Sequence, residues 1–366
     1  MALEALFRPF ECKSLRLGNR IAMASVARWS SPDGYPEPLA EYYSRSIAGG
    51  AGLVITEGAA IDRPASYNDS RNARIFGHAL DGWRIVVDAV HSAGGKIIPQ
   101  LWHAGAVAKK ASSWLPPGEP ESPSGLASAN QPRGRAMTES DLADVISAYK
   151  KASQDSRSIG FDGIEIHAGH GYLLDQFFWD DTNRRTDRWG GRTLSERSRF
   201  PLEVVKEIRR VAGPDMPLLL RISHWKSADL FARYVESPAE LESWLAPFTE
   251  AGIDIFSVSE LRYDKPLFSN SALSFAGWVK KVTGRPVMAA GGIGMSGDFM
   301  RTFAGEIAKP LSLDDVARRI DAGEFDLIAV GRALVADPEW VQKIRDGRTT
   351  ELKECTMEHF APSTTI

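Results

Sequence analysis

Cysteine is nearly absent from this sequence of 366 residues, since only Cys12 and Cys355 occur, far apart and without a C-x-x-C partner. A disulfide framework, an iron–sulfur cluster and a zinc ribbon are therefore excluded. No run of about 18 apolar residues occurs, and the N-terminus lacks a cationic start followed by an apolar core. We therefore expect no membrane span and no secretion signal, and a cytoplasmic location.

A strong excess of charge of one sign is also missing. The net charge is −3, which gives no electrostatic reason to expect nucleic acid or an anionic membrane as a partner. A small-molecule substrate is the expected partner, and a homo-oligomer is compatible with this composition. The hydrophobic content of 43% is ordinary for a globular protein with a sizeable core. On length alone, two domains or one barrel domain over residues 1–366 would both fit.

Eight short apolar segments recur along the chain and are predicted to be β-strands. Most of them are continuously apolar, which is typical of parallel strands buried on both faces. Glycines that end the preceding helices stand just before most of them. The predicted strands are Arg20–Ser25, Leu53–Glu57, Lys96–Trp102, Gly163–His167, Leu218–Ser223, Ile255–Ser259, Val287–Gly291 and Leu327–Val330.

Helices are predicted between these strands. Ser237, Thr193 and Asp337 are the predicted N-caps of three of them. Eight strand–helix units favour a closed (β/α)8 TIM barrel over an open doubly wound sheet, which would more usually have five or six strands and a G-x-G-x-x-G turn. We expect Glu11–Gly18 to form an N-terminal β-hairpin that plugs one end. The long loops 103–136 and 169–191 follow strands, so they are expected on the functional face.

Two histidines and a tyrosine follow the fourth predicted strand. His167 and His170 can present two imidazole donors to one small polar group, and the Tyr172 hydroxyl can give up a proton. The alternatives are that the histidines are structural residues, or that they are ligands of a metal-dependent hydrolase, which would need further ligands at other strand ends. A Schiff-base aldolase would need a buried strand-end lysine, and only Lys226 is near one.

Arg221 lies within a buried apolar strand and therefore needs an anionic or electron-rich partner. A salt bridge to Glu165 or Glu57 is one possibility. The Gln100 amide can donate and accept, which suits the edge of a planar heterocycle. Bare glycines and one arginine follow strands seven and eight, where such barrels bind phosphate, namely Gly291, Gly292, Gly331 and Arg332.

The motifs together resemble the old yellow enzyme family of flavin-dependent oxidoreductases, and the resemblance covers nearly the whole chain. The most specific segment runs from His167 to Gly191. The motifs that carry it are LGNRIAMA (17–24), ITEG (55–58), QLWHAG (100–105), EIHAGHGYLLDQF (165–177), NRRTDRWGG (183–191) and GRAL (331–334).

This resemblance implies a noncovalent FMN across the barrel mouth, reduced by NADPH or NADH. It implies that Arg221 faces the flavin and stabilises its reduced form. The implied cofactor-binding residues are Ala24, Ser25, Val26, Ala27, Gly58, Gln100, Arg221, Gly291, Gly292, Gly331 and Arg332.

The resemblance also implies an ene-reductase of the subgroup with a His-His substrate pair and no metal site. His167 and His170 would bind the carbonyl or nitro oxygen of an α,β-unsaturated substrate, and Tyr172 would protonate the α-carbon. Trp29 and Trp102 are the expected aromatic substrate contacts. A flavin-dependent amine demethylase or dehydrogenase on the same barrel, and a non-catalytic FMN-binding module, are the alternatives.

The sequence departs from the family pattern at several positions. Ser25 and Ala27 stand where many members have Pro followed by Thr or Cys, so Ala27 gives the flavin no side-chain hydrogen bond. Ala106 stands where Arg commonly follows the His-Ala-Gly of strand three, and Trp189 replaces a usual Tyr. An insertion, Met295–Pro310, follows strand seven, and its expected role is to cover the phosphate or to form a subunit contact.

Overall fold

The computed structural model describes residues 3–107 and 114–361, so part of the loop 103–136 lies outside the described residues. In this part of the chain the strands form one closed barrel and three two-stranded sheets. The strands are β1 (Phe10–Cys12), β2 (Leu15–Leu17), β3 (Ile21–Met23), β4 (Leu53–Ala60), β5 (Lys96–Trp102), β6 (Glu121–Ser122), β7 (Leu126–Ser128), β8 (Gln131–Pro132), β9 (Arg135–Ala136), β10 (Ile164–His170), β11 (Leu218–Lys226), β12 (Ile255–Ser259), β13 (Val287–Ala290) and β14 (Leu327–Val330).

The barrel contains the eight predicted strands in the order β10-β11-β12-β13-β14-β3-β4-β5. Every neighbouring pair is parallel, and β14 closes the ring by pairing with β3 through Ile328 and Ile21. The predicted TIM barrel is therefore confirmed. The bounds differ in five strands: β3 and β13 are shorter than predicted, whereas β4, β10 and β11 run on to Ala60, His170 and Lys226.

Helices alternate with the barrel strands. Ser237 and Thr193 are N-caps as predicted, and both accept a backbone N–H at the third helical residue. The predicted N-cap at Asp337 is wrong, because α12 begins later and its N-cap is Glu339. The Asp337 carboxylate accepts the Glu339 N–H at 3.3 Å and binds the Lys343 ammonium at 2.8 Å. The α-helices are α1 (Leu39–Ala48), α2 (Ala79–Ser92), α3 (Glu139–Ile159), α4 (Leu173–Phe178), α5 (Leu194–Arg197), α6 (Arg199–Ala212), α7 (Pro238–Glu250), α8 (Phe275–Thr283), α9 (Phe299–Phe303), α10 (Asp314–Asp321), α11 (Arg332–Ala336) and α12 (Trp340–Arg345).

The predicted N-terminal hairpin is formed by β1 and β2, which pair in an antiparallel fashion. Its apolar side chains Phe10, Leu15 and Leu17 are buried and form one cluster with interior side chains of the barrel, including Leu219 and Met288. One end of the barrel is thus filled with packed side chains, which leaves the carboxyl ends of the strands as the open face.

An ionic network fastens the long loop that follows β5. The Glu121 carboxylate, 1% exposed, accepts hydrogen bonds from the guanidinium groups of Arg63 and Arg135, both of which also bind Asp141. Burial alone would raise the pKa of Glu121, but Arg63 and His103 lower it to about 2. Ion pairs with Arg63, which follows β4, and with Asp141 in α3 therefore fix this loop at the rim of the barrel mouth.

No helix in residues 3–107 and 114–361 is long and apolar enough to cross a membrane. The same residues contain no group of three or more His, Cys, Asp or Glu side chains placed to hold a metal ion.

Candidate active site

A β-bulge brings the two predicted histidines together. Side chains alternate along a strand, so residues three apart would normally point to opposite faces. The register of β10 against β11 shifts between Ala168 and His170, and His170 adopts a φ of 62°, which is uncommon for a residue other than glycine. As a result, the imidazole centroids of His167 and His170 lie 4.9 Å apart at the carboxyl end of β10.

The strained backbone of His170 is held by neighbouring hydroxyl and amide groups. The His170 N–H donates to Ser223 Oγ at 2.7 Å, and its carbonyl accepts from the N–H and the hydroxyl of Ser227 at 3.1 and 2.9 Å. Backbone strain of this kind persists only when its surroundings fix it, and it is concentrated at functional sites. Ser223 and Ser227 are therefore site residues that the sequence pattern did not single out.

Both imidazoles are kept neutral. Burial, together with the nearby Arg221 cation, lowers the pKa of His167 well below its ordinary value. Burial also lowers the pKa of His170, and His167, Arg221 and Lys226 act in the same direction. The Gly169 N–H donates to His167 Nδ1 at 3.3 Å, so Nε2 carries the proton of that ring. A neutral imidazole of this kind is a hydrogen-bond donor rather than an acid.

Hydrogen-bond donation by the two imidazoles is therefore expected to be insensitive to pH near the ordinary imidazole pKa. Both folded-state pKa values lie below the unfolded value of about 6.5, so the neutral donors persist as the pH falls through that value. We expect the 15N-histidine signals of His167 and His170 to stay unchanged between about pH 6 and about pH 8. The unfolded chain takes up protons first, so the stability contributed by these groups is lost as the pH falls below about 6.5. A titration of either histidine signal near that pH would contradict neutral histidines.

Tyr172 lies beside the histidines, as the sequence predicted. Its ring meets His167 edge to face at 5.1 Å and Trp102 at 5.2 Å. Burial raises the pKa of the Tyr172 phenol, so it keeps its proton. The site thus combines two neutral donors with one protonated hydroxyl.

A buried charged cluster supports the turn between His170 and Tyr172. Asp175 accepts the Gly171 N–H at 2.5 Å and the Tyr234 hydroxyl, and it pairs with the Lys226 ammonium at 3.3 Å. Burial lowers the pKa of Lys226 to about 8, against the opposing effect of Asp175. Because Lys226 and Asp175 are both fully buried, removing either would leave an unpaired charge beneath the turn. The Lys226 ammonium is already paired with Asp175, which counts against a Schiff-base aldolase.

Arg221 lies on β11, buried, and is paired in register with His167 on β10 and Ser257 on β12. Its Nη1 lies 4.0 Å from Glu165 Oε1 and donates to Ser257 Oγ at 3.3 Å. The contact with Glu165 is one of the two salt bridges that the sequence allowed. Glu57 is not a partner, because its carboxylate accepts the Arg28 N–H and the Ser31 hydroxyl. The buried Arg221 Nε has no partner among the described residues.

The predicted heterocycle-binding side chains line up beside Arg221. Ser25 Oγ donates to Gln100 Oε1 at 3.0 Å, and Gln100 Nε2 donates to Glu165 Oε1 at 2.7 Å. Gln100 pairs with Gly58 on β4, and a Cβ at Gly58 would lie 3.1 Å from the Trp102 ring. A row of polar groups therefore crosses the mouth from the β3 loop to β11.

The loop after β3 reaches the end of β14. The Ala24 N–H donates to the Val330 carbonyl at 3.0 Å, and a Cβ at Gly331 would lie within 4 Å of Val26 and Ala24. Ala27 is exposed, and Trp29 is half-buried in the same loop with a φ of 50°. Trp29 is not among the rings that pack on the histidines in the described structure, whereas Trp225 stacks on His170 with 4.1 Å between centroids. Trp225 is thus an aromatic contact of the site that the sequence motifs did not assign.

The glycines after β13 leave room for a close backbone approach. Gly291 and Gly292 have φ values of 140° and 67°, and a Cβ at Gly291 would overlap the Glu260 carbonyl oxygen. Arg332 is buried, and its guanidinium binds carbonyl oxygens of residues 296–298. No carboxylate pairs with Arg332 in the described part of the chain. Arg262 donates to the same Gly297 carbonyl as Arg332. No sequence motif had singled out Arg262.

A parallel barrel with a buried guanidinium, bare glycines and paired histidines at its strand ends is typical of the barrel oxidoreductases that bind flavin mononucleotide. A model of the NADH:flavin oxidoreductase / NADH oxidase family matches residues 5–351, and this chain belongs to that family. FMN is accordingly its cofactor.

Individual relatives agree with this assignment. An NADH oxidase of Thermoanaerobacter brockii is 32% identical over 96% of this chain, although the chain spans only 52% of that protein. The 12-oxophytodienoate reductase 7 of Oryza sativa subsp. japonica is 29% identical, with 93% of this chain and 87% of the relative covered. A solved structure of morphinone reductase in complex with tetrahydroNAD superposes with a TM-score of 0.78 at 27% identity, covering 97% of this chain and 94% of that one.

Proposed function

We propose that this protein is an ene-reductase, which uses NADPH or NADH to reduce the activated C=C bond of α,β-unsaturated carbonyl or nitro compounds. The observation that carries the proposal is the meeting of His167, His170 and Tyr172, with neighbouring ring centroids 4.9 and 5.1 Å apart, at the strand end beside Arg221. The proposed unit is one FMN-binding barrel domain over residues 1–366, of the subgroup with a His-His substrate pair.

The cofactor-binding residues fit FMN on physical grounds. Arg221 has an unpartnered buried Nε, so it would face the ring system and stabilise its negative charge. Arg332 lacks a carboxylate partner among the described residues, and with Gly291, Gly292 and Gly331 it would hold the phosphate. Ala24, Ser25, Val26 and Ala27, with Gly58 and Gln100, would flank the ring. Bound FMN supplies hydride exchange with the nicotinamide and with the substrate.

On the substrate side, His167 and His170 would donate hydrogen bonds to the carbonyl or nitro oxygen. These bonds draw electron density away from the double bond, so that the β-carbon accepts hydride. Tyr172 would deliver a proton to the α-carbon and recover one from solvent. One hydride and one proton thus saturate the bond while the nicotinamide is oxidised. Trp102, packed on Tyr172, would line the pocket, and Trp29 is a further proposed contact.

The purified protein is expected to be yellow and to oxidise NADPH or NADH catalytically under anaerobic conditions only when 2-cyclohexen-1-one is supplied, giving cyclohexanone; without the enone, oxidation should stop after one equivalent per FMN. A colourless preparation that takes up no added FMN would contradict the proposal. Turnover of a secondary amine with no enone reduction would instead favour the demethylase alternative. A yellow protein that turns over neither an enone nor an amine would indicate a non-catalytic FMN-binding module.

A further inference from the structure

The insertion after β13, residues 295–310, forms a braced lobe. Met295 and Pro310 form an antiparallel bridge, and Ser296 and Lys309 exchange two hydrogen bonds of 2.8 and 2.9 Å. A second bridge joins Ala308 to Cys355 near the C-terminus. The two ends of the insertion, which contains the short helix α9, are therefore held together.

Two arginines hold the start of this lobe. Arg332 donates to the carbonyls of Gly297 and Asp298 at 2.7 and 3.0 Å and to the Thr302 hydroxyl at 2.9 Å. Arg262 donates to the same Gly297 carbonyl at 3.1 Å. The carbonyl contacts lie just before Phe299 and the Thr302 contact lies after it, so Arg332 holds α9 on both sides of Phe299.

Phe299 reaches the substrate side of the site through one intervening ring. Its ring packs on Trp225 with centroids 5.1 Å apart, and Trp225 stacks on His170 at 4.1 Å with an interplanar angle of 22°. His170 Nε2 lies 2.9 Å from Ser259 Oγ. The imidazole is thus fixed on one face and at one nitrogen, and its Nδ1 has no partner among the described residues.

We propose that Phe299 is a positioning residue for His170 and acts through Trp225. This inference rests on the proposed function, in which His170 binds the substrate oxygen. An indole backed by Phe299 cannot rotate away, so the imidazole keeps the orientation in which it donates to that oxygen. The insertion would thereby serve the substrate pocket, in addition to covering the phosphate end.

The test compares three variants of the holoenzyme. Phe299→Leu keeps apolar bulk but loses the ring, Phe299→Tyr keeps the ring, and Phe303→Leu alters the same helix at a ring that packs on Phe299 and Phe360. We expect Phe299→Leu to raise KM for 2-cyclohexen-1-one, and the calorimetric Kd for cyclohexanone, about three- to tenfold, the loss of one aromatic pair. FMN content and kcat should change less than about twofold, and Phe299→Tyr and Phe303→Leu should match the wild type.

A direct readout of the imidazole separates this inference from the proposed function. The chain has 7 histidines, so 15N-histidine spectra of the holoenzyme are simple, and His170→Asn assigns the relevant signal. Phe299→Leu should shift that signal, whereas Phe303→Leu should not. Equal shifts in both variants, or no rescue by Phe299→Tyr, would overturn the positioning role. Absence of enone turnover in the wild type would overturn the proposed function, while the His170 signal would still decide the role of Phe299.

Discussion

Tyr172→Phe should slow reduction of 2-cyclohexen-1-one about 100-fold or more, the usual cost of losing a positioned general acid. The substitution keeps the ring, and with it the edge contacts to His167 and Trp102 at 5.1 and 5.2 Å. The substitution removes only the hydroxyl group, and with it the proton that the phenol would donate. Because burial raises the pKa of the phenol, the wild-type group is protonated throughout the neutral range.

Stopped-flow measurement of the two half-reactions gives the decisive comparison. Reduction of the enzyme by nicotinamide requires no proton from Tyr172 and should be nearly unchanged, whereas oxidation by the enone should carry the whole effect. Tyr67→Phe is a matched control, because Tyr67 packs in the same small cluster as Trp102 yet contacts Phe76 and Trp114. Equal slowing of both half-reactions in Tyr172→Phe would show that the residue shapes the pocket rather than supplying the proton.

Arg221→Leu should weaken FMN binding about 10- to 100-fold, which corresponds to losing hydrogen bonds from a charged group. The same change leaves Glu165 fully buried without its cation, and the Oε2 atom of Glu165 already lacks a partner among the described residues. Stability should therefore fall as well, by about 3 to 5 kcal/mol. Two effects with different causes are superimposed in this variant.

The double variant Arg221→Leu/Glu165→Gln separates these effects. Neutralising Glu165 removes the unpaired charge, so the unfolding midpoint of the cofactor-free protein in urea should return toward that of Glu165→Gln alone. FMN affinity, measured by quenching of flavin fluorescence, should remain weak. If the double variant instead binds FMN as tightly as the wild type, Arg221 is only the partner of Glu165 and does not contact the cofactor.

The barrel was predictable because it depends on local patterns. Continuous apolar segments and the glycines that precede them are visible in any window of the sequence, and they specify strands buried on both faces. The site residues at strand ends follow from the same pattern, since parallel strands bring all their carboxyl ends to one face. His167, Arg221 and Gln100 were found in this way.

What the sequence could not supply is the geometry between distant segments. Strict alternation would separate His167 from His170, and only the β-bulge against β11 joins them. The choice of Glu165 rather than Glu57 near Arg221 depends on the register of β10, β5 and β11. Arg262, Ser259 and Phe299 carry no motif. Ser259 ends β12 beside His170, whereas Arg262 contacts the segment after β13 and Phe299 packs on Trp225.

The ionic network around Glu121 has a consequence for engineering substrate scope by exchanging loops. Its members come from the β4 loop, the loop after β5 and the first turn of α3, at Arg63, Glu121, Arg135 and Asp141. A graft of residues 114–136 from a relative would leave Arg63 and Asp141 paired with each other only, unless the incoming segment carried an acid and a base that match Glu121 and Arg135. Chimeras should therefore exchange all three stretches together, because the charged side chains of each stretch are the ion-pair partners of the others.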